Sequence, residues 1–124
     1  MTFLAKYPSD WITSGHLAKS LNINPVLIRN ELADLKSADL IKSKEGKNGG
    51  VRLSRPAYKI PLAEIFGVAK GEGHVLAFSK NEGSKDCPIG SQIETKLDEL
   101  YKDMDIIIEQ HLSRISLEEF KNRF

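Results

Sequence analysis

Residues 13–54 read TSGHLAKSLNINPVLIRNELADLKSADLIKSKEGKNGGVRLS, and this stretch decides the fold. His16 to Leu21 reads as a short helix with Thr13 as its N-cap. Asn22-Ile23-Asn24 is a turn whose last residue can cap the next helix. Pro25 falls at that helix's first position, where the N–H that proline lacks would have no helical partner anyway. Ile28, Leu32 and Leu35 then recur on one helical face. After them Leu40-Ile41 begins a strand, Gly46 and Gly49-Gly50 permit a tight reversal, and Val51-Arg52-Leu53-Ser54 alternates apolar with polar residues as a returning edge strand does. Helix, turn, helix and hairpin in this order predict a winged helix-turn-helix.

The 124 residues are one domain's worth of chain, enough for one modest core. The 40% apolar and 28% charged content is that of an ordinary soluble protein, and no run approaches the roughly 18 apolar residues of a membrane helix. Charge and proline follow Met1-Thr2-Phe3 at once, which is no signal peptide, and a single cysteine, Cys87, rules out an internal disulfide framework; both fit a cytoplasmic protein. The net charge of +1 conceals a division. Residues 1–56 hold nine Lys/Arg against five Asp/Glu, or +4, and residues 57–124 hold nine against twelve, or −3. The winged half is the basic one, as contact with phosphate requires.

At the N-terminal end Thr2 to Ala5 is an apolar fragment cut short by Pro8, and Trp11-Ile12 is expected to pack under the helix-turn-helix. Past the wing, Pro61 opens a helix from Leu62 to Lys70, with Leu62, Ile65, Phe66 and Ala69 on one face and Gly71 closing it. Residues 72–86 read as a loop anchored by Val75, Ala77 and Phe78. Cys87-Pro88 opens the longest periodic segment, running to about Ser113. Its Ile93, Leu97, Leu100, Met104 and Ile107 are spaced four, three, four, three, a heptad seam that wants a partner helix, while Ile106, Ile108 and Leu112 make a second face for the chain's own domain. Ser116 to Glu119 is a capping box for a last short helix, flanked by Ile115 and Phe120. The expected fold is mainly α with a small β-wing: a winged DNA-binding domain over 1–71, a loop over 72–86, and a dimerisation helix with a short C-terminal helix over 87–124.

The residues that can meet DNA are Asn24, Pro25, Val26, Leu27, Arg29 and Asn30 at the start of the second helix, Lys36 near its end, and Lys44, Lys47, Asn48 and Arg52 in the wing. Arg29 and Asn30 lie off the apolar face early in the helix, and their side chains are of the types that pair bidentately with guanine and adenine. The lysines, Lys19 and Lys42 included, suit phosphates, which position a protein without reading sequence. His16, His74 and His111 are scattered and read as surface or packing residues, and GKNGG lacks the glycine spacing and the Ser/Thr of a phosphate loop. Cys87 has two readings: a small buried apolar residue, or a thiolate favoured at a helix mouth and able to serve as a regulatory residue.

The phrases HLAKSL, NPVLIRNELADLKSADLIKS, GKNGGVRLSRP, IPLAEIFGVAKG and CPIG resemble the Rrf2 family of bacterial winged-helix transcription repressors over nearly the whole chain. The resemblance implies a homodimer joined through the long C-terminal helix and bound to a palindromic operator in double-stranded DNA. Three departures qualify it. Cluster-binding members carry three cysteines after the fourth helix where this chain has Cys87 alone, which argues for no iron–sulfur cofactor. Many wings read Arg-Gly before the glycine pair and an aromatic after it, where this chain has Glu45-Gly46 and Val51, leaving Lys44, Lys47 and Arg52 to make the wing's contacts. The first helix of the family is also longer.

Two other classes of function compete with a dimeric repressor that answers to an oxidant or small-molecule effector. A thiol enzyme using Cys87 would need a base and a resolving thiol, and the sequence places no histidine near Cys87 and holds no second cysteine. A winged module that binds another protein would not weaken steeply with salt as phosphate contacts do.

Overall fold

Local capping determines where the first helices start and stop. The structure, a computed structural model that describes residues 1–71 and 85–124, begins with helix α1 (Thr2–Lys6) and continues into α2 (Ser14–Leu21) and α3 (Pro25–Ser37). Thr13 Oγ1 accepts the His16 N–H at 3.1 Å, and Asn22 ends α2 in the left-handed region at φ 53°, a conformation asparagine tolerates. Asn24 Oδ1 takes the Val26 N–H at 2.8 Å to open α3 on Pro25. Asp39, also left-handed at φ 58°, turns the chain out of α3 into the wing.

The wing is an antiparallel pair, β1 (Ile41–Lys44) and β2 (Gly50–Leu53), with Ile41 opposite Leu53 and Lys42 opposite Arg52. Ile12 packs against the core that the helix-turn-helix shares, as expected, while Trp11 lies against Arg52 and Lys44 of the wing. Ile12 also pairs with Val51 through reciprocal backbone bonds of 2.9 and 2.8 Å, an isolated bridge on the side of β2 away from β1. An edge strand with free N–H and C=O groups recruits whatever extended chain lies beside it, and Thr13 holds the chain extended there.

A turn at Ala57–Lys59 and helix α4 (Leu62–Lys70) follow, then α5 (Ile93–Leu112) and α6 (Leu117–Lys121). The core collects Leu4, Leu17, Ile28, Leu40, Ile41, Val51, Leu53, Ile60 and Leu117. Leu117 comes from the C-terminal segment: Leu62 N–H donates to Ile115 C=O and Leu117 N–H to Ile60 C=O, both at 2.8 Å, which seats α6 beside α1 in the winged domain. The capping box forms as expected, with Ser116 N–H to Glu119 Oε2 at 2.8 Å and Glu119 N–H to Ser116 Oγ at 3.1 Å. On α4 the inward residues are Leu62, Ile65 and Val68; Ala69, expected on that face, is exposed.

Helix α5 starts at Ile93, not at Pro88. Residues 88–92 form turns, because Gly90 is a poor helix former and Ser91 Oγ donates to Pro88 C=O at 3.3 Å in competition with the helical pattern. The seam is open: Ile93, Leu97, Leu100 and Ile107 are 39, 37, 53 and 65% exposed. Ile106, expected on the inner face, is 54% exposed as well. The less exposed residues of α5 are Asp98, Tyr101, Met104, Asp105, Ile108 and Leu112. Except for Met104 they form a heptad line of their own, which runs where α5 packs on α4, and Asp105, 8% exposed, pairs there with Lys70 of α4 at 3.6 Å. Residues 72–84 of the expected loop, its anchor Val75, Ala77 and Phe78 among them, lie outside the described residues.

Candidate nucleic-acid interface

Because Ile28 turns inward, its neighbours must turn out. Val26 and Leu27 are each 57% exposed, and Asn24, Pro25, Arg29 and Asn30 are exposed around them. Aliphatic groups meet thymine methyls, and Arg and Asn pair with base edges. Arg29 Nε donates to Pro25 C=O at 3.3 Å, which draws the guanidinium toward the helix's N-terminal end, and its two terminal nitrogens have no acceptor among the described residues.

The wing supplies a second surface. Lys44, Lys47 and Asn48 are exposed, with Lys47-Asn48 at the tip and Asn48 left-handed at φ 66°. The tip is closed by the Gly49 N–H to Gly46 C=O bond of 3.1 Å. A Cβ on Gly49 would lie 2.1 Å from the Lys44 carbonyl oxygen, and one on Gly50 would lie 2.6 Å from Ile12 backbone atoms. The glycine pair therefore does more than reverse the chain: Gly50 lets the backbone at Ile12 approach. Arg52 and Lys44 are not free-standing, for the Arg52 guanidinium lies 4.2 Å from the centre of the Trp11 ring and the Lys44 ammonium 5.9 Å from it.

The fold thus gathers Asn24 to Asn30 at one end of α3 and Lys44, Lys47, Asn48 and Arg52 in the wing, while Lys36 stands in the last turn of α3. Sequence reasoning missed Trp11 as part of this surface. The period-2 pattern of two residues is too short to announce a strand, and only the pairing of Ile12 with Val51 reveals it. It also missed that Arg55 is committed to an ion pair with Glu64 of α4, with Nη1 to Oε1 at 3.3 Å, a pairing that raises the arginine pKa further.

Cys87 is exposed, which overturns its reading as a buried apolar residue. Its thiol pKa is lowered by backbone N–H groups of Gly90 and then Ile89, so the thiolate is favoured by the turn that follows it rather than by the mouth of α5.

The family described as Rrf2, iron-dependent transcriptional regulator, matches residues 1–123. The chain belongs to the Rrf2 family. Among relatives of the chain is YwnA of Bacillus subtilis (strain 168), named by inference as an HTH-type transcriptional regulator; the two are 32% identical over 110 residues, covering 89% of this chain and 81% of YwnA. The fold is that of CymR, the global cysteine regulator of B. subtilis, with a TM-score of 0.69 at 21% identity over 99% of this chain and 88% of CymR. It is also that of IscR from T. potens, with a TM-score of 0.67 at 22% identity over 98% of this chain and 77% of IscR. This Rrf2 protein is accordingly a DNA-binding transcriptional regulator of winged-helix fold, and its family is not a class of enzymes. No helix among the described residues is long and apolar enough to cross a membrane.

The family description names iron, and an iron–sulfur cluster held by several thiolates of one chain does not fit a sequence whose one cysteine is Cys87.

Proposed function

We propose that this Rrf2 protein is a cytoplasmic homodimeric repressor that reads a palindromic operator with α3, grips phosphates with its wing, and needs no cluster. The observation that carries the reading is the exposed start of α3, where Val26, Leu27, Arg29 and Asn30 stand uncovered beside a basic wing. Arg29 and Asn30 read base edges, Val26 and Leu27 meet methyl groups, and Lys36, Lys44, Lys47, Asn48 and Arg52 hold the backbone. The seam Ile93, Leu97, Leu100, Met104 and Ile107 joins the two subunits, and a twofold axis then sets the two α3 helices about 34–36 Å apart on successive major grooves.

Binding of Arg29→Ala and Lys47→Ala to operator-like and random duplexes tests the division of labour. Arg29→Ala should lose about 1–3 kcal/mol of discrimination, while Lys47→Ala weakens both duplexes alike and lowers the salt slope by about 1. A wild-type ratio of specific to random binding in Arg29→Ala removes Arg29 from the base-reading set.

Cys87 is the regulatory residue of this reading. Its exposed thiolate attacks a peroxide oxygen, the O–O bond breaks, and the products are Cys87 sulfenic acid and hydroxide. The new oxygen sits on the turn that leads into α5, the seam helix. Because the native pKa is lowered, thiolate persists to lower pH than in the unfolded chain, so alkylation of Cys87 should reach half its maximal rate at a lower pH in the folded protein than in the denatured one. Peroxide should reduce operator affinity in the wild type and leave Cys87→Ser unaffected. An ordinary thiol titration with oxidant-indifferent binding would remove the switch.

A further inference from the structure

The wing carries a row of side chains that crosses its two strands and the segment bridged to β2 at Ile12. Lys42 is the cross-strand partner of Arg52. Since Ile12 pairs with Val51 in antiparallel sense, Trp11 is the residue opposite Arg52 on the other side, so Lys42, Arg52 and Trp11 share one face. The diagonal position belongs to Lys44, which faces Gly50. The Lys44 ammonium reaches the Trp11 ring at 5.9 Å while the Arg52 guanidinium lies at 4.2 Å. Two cations held beside one ring repel each other, and an anion placed between their outer edges relieves that repulsion.

We propose that Trp11 is a positioning residue for DNA binding: its ring fixes Arg52, with Lys44 beside it, so that both address one stretch of phosphate backbone. The inference rests on the wing contacting DNA. A guanidinium held by its attraction to a ring face spends no hydrogen-bond acceptor on the contact, so Arg52 is oriented while its N–H donors remain for phosphate. Arginine on a flexible stem loses rotamer freedom when it grips a phosphate, and an indole that has already fixed it removes part of that loss from binding.

The test measures binding of the full-length protein to a duplex selected from a random pool, across a range of salt concentrations. It compares wild type with Trp11→Ala, Trp11→Phe, Arg52→Ala, the Trp11→Ala/Arg52→Ala double variant and Lys47→Ala. Trp11→Ala should weaken binding about three- to tenfold, close to Arg52→Ala, the double variant should be no weaker than either, and Trp11→Phe should recover most of the loss because a benzene ring also attracts a cation. The sole tryptophan supplies a readout that needs no DNA: Arg52→Ala should shift Trp11 emission in the free protein. Additive losses in the double variant, or normal binding by Trp11→Ala and Arg52→Ala while Lys47→Ala is weakened, would overturn the positioning role and leave the DNA-binding wing intact. A wild type whose binding ignores salt, with Lys47→Ala indistinguishable from it, would remove the wing from the DNA and this role with it. Should Trp11→Ala fail to fold, unchanged Trp11 emission in Arg52→Ala overturns the proposal by itself.

Discussion

The winged domain and helix α5 handle apolar surface in opposite ways. In the winged domain Leu4, Leu40, Ile60 and Leu117, drawn from both ends of the sequence and its middle, are each no more than 1% exposed. Along α5 the one buried residue is the charged Asp105, and four of the five seam residues are more than a third exposed. A side chain half out of water forgoes roughly 1 kcal/mol of the burial it would gain against a partner. The first region is finished within one chain, and the second leaves most of its seam in water.

Truncation in the finished region should have the largest effect. Leu40→Ala removes side-chain atoms from a site with no exposure and should cost about 2–5 kcal/mol in denaturant unfolding, whereas Leu100→Ala, at 53% exposure, should leave the stability of the dilute monomer nearly unchanged. Equal losses at the two sites would break the contrast. A smaller effect is expected at the wing, where Gly49→Ala drives a Cβ into the Lys44 carbonyl oxygen. It should cost about 1–3 kcal/mol and weaken DNA binding at the same time. Full DNA affinity in Gly49→Ala would show that the hairpin tolerates a shifted tip.

What was legible in the sequence was local. Thr13, Asn24 and the Ser116–Glu119 pair cap their helices through side chains within three residues of the bonds they make, so their positions suffice to read them. The wing follows from its glycines and its alternation, and the exposed positions at the start of α3 follow from the inward turn of Ile28. What depends on distant chain was hidden. The bridge at Ile12 exists because of Val51, α6 is seated by Ile60 and Ile115, and Asp105 is buried where α4 brings Lys70 to it. Periodicity carried one misleading signal: it placed the start of α5 at Pro88 and put Ile106 inside, although Gly90 and Ser91 break the first turn and Asp105 takes the inner position. Trp11 was legible as an aromatic beside the wing's partner segment only once that segment had been seen to pair.

The open seam is tested most directly by placing charge in it. Leu100→Asp with Met104→Lys would bury unpaired charge wherever a partner helix covers that face, while the winged core, which neither residue enters, stays folded. Sedimentation of the double variant beside the wild type should give a folded monomer where the wild type is a dimer, with operator affinity lost in parallel. A double variant that sediments as an unchanged dimer contradicts the account, because α5 would then not be the surface that joins two chains.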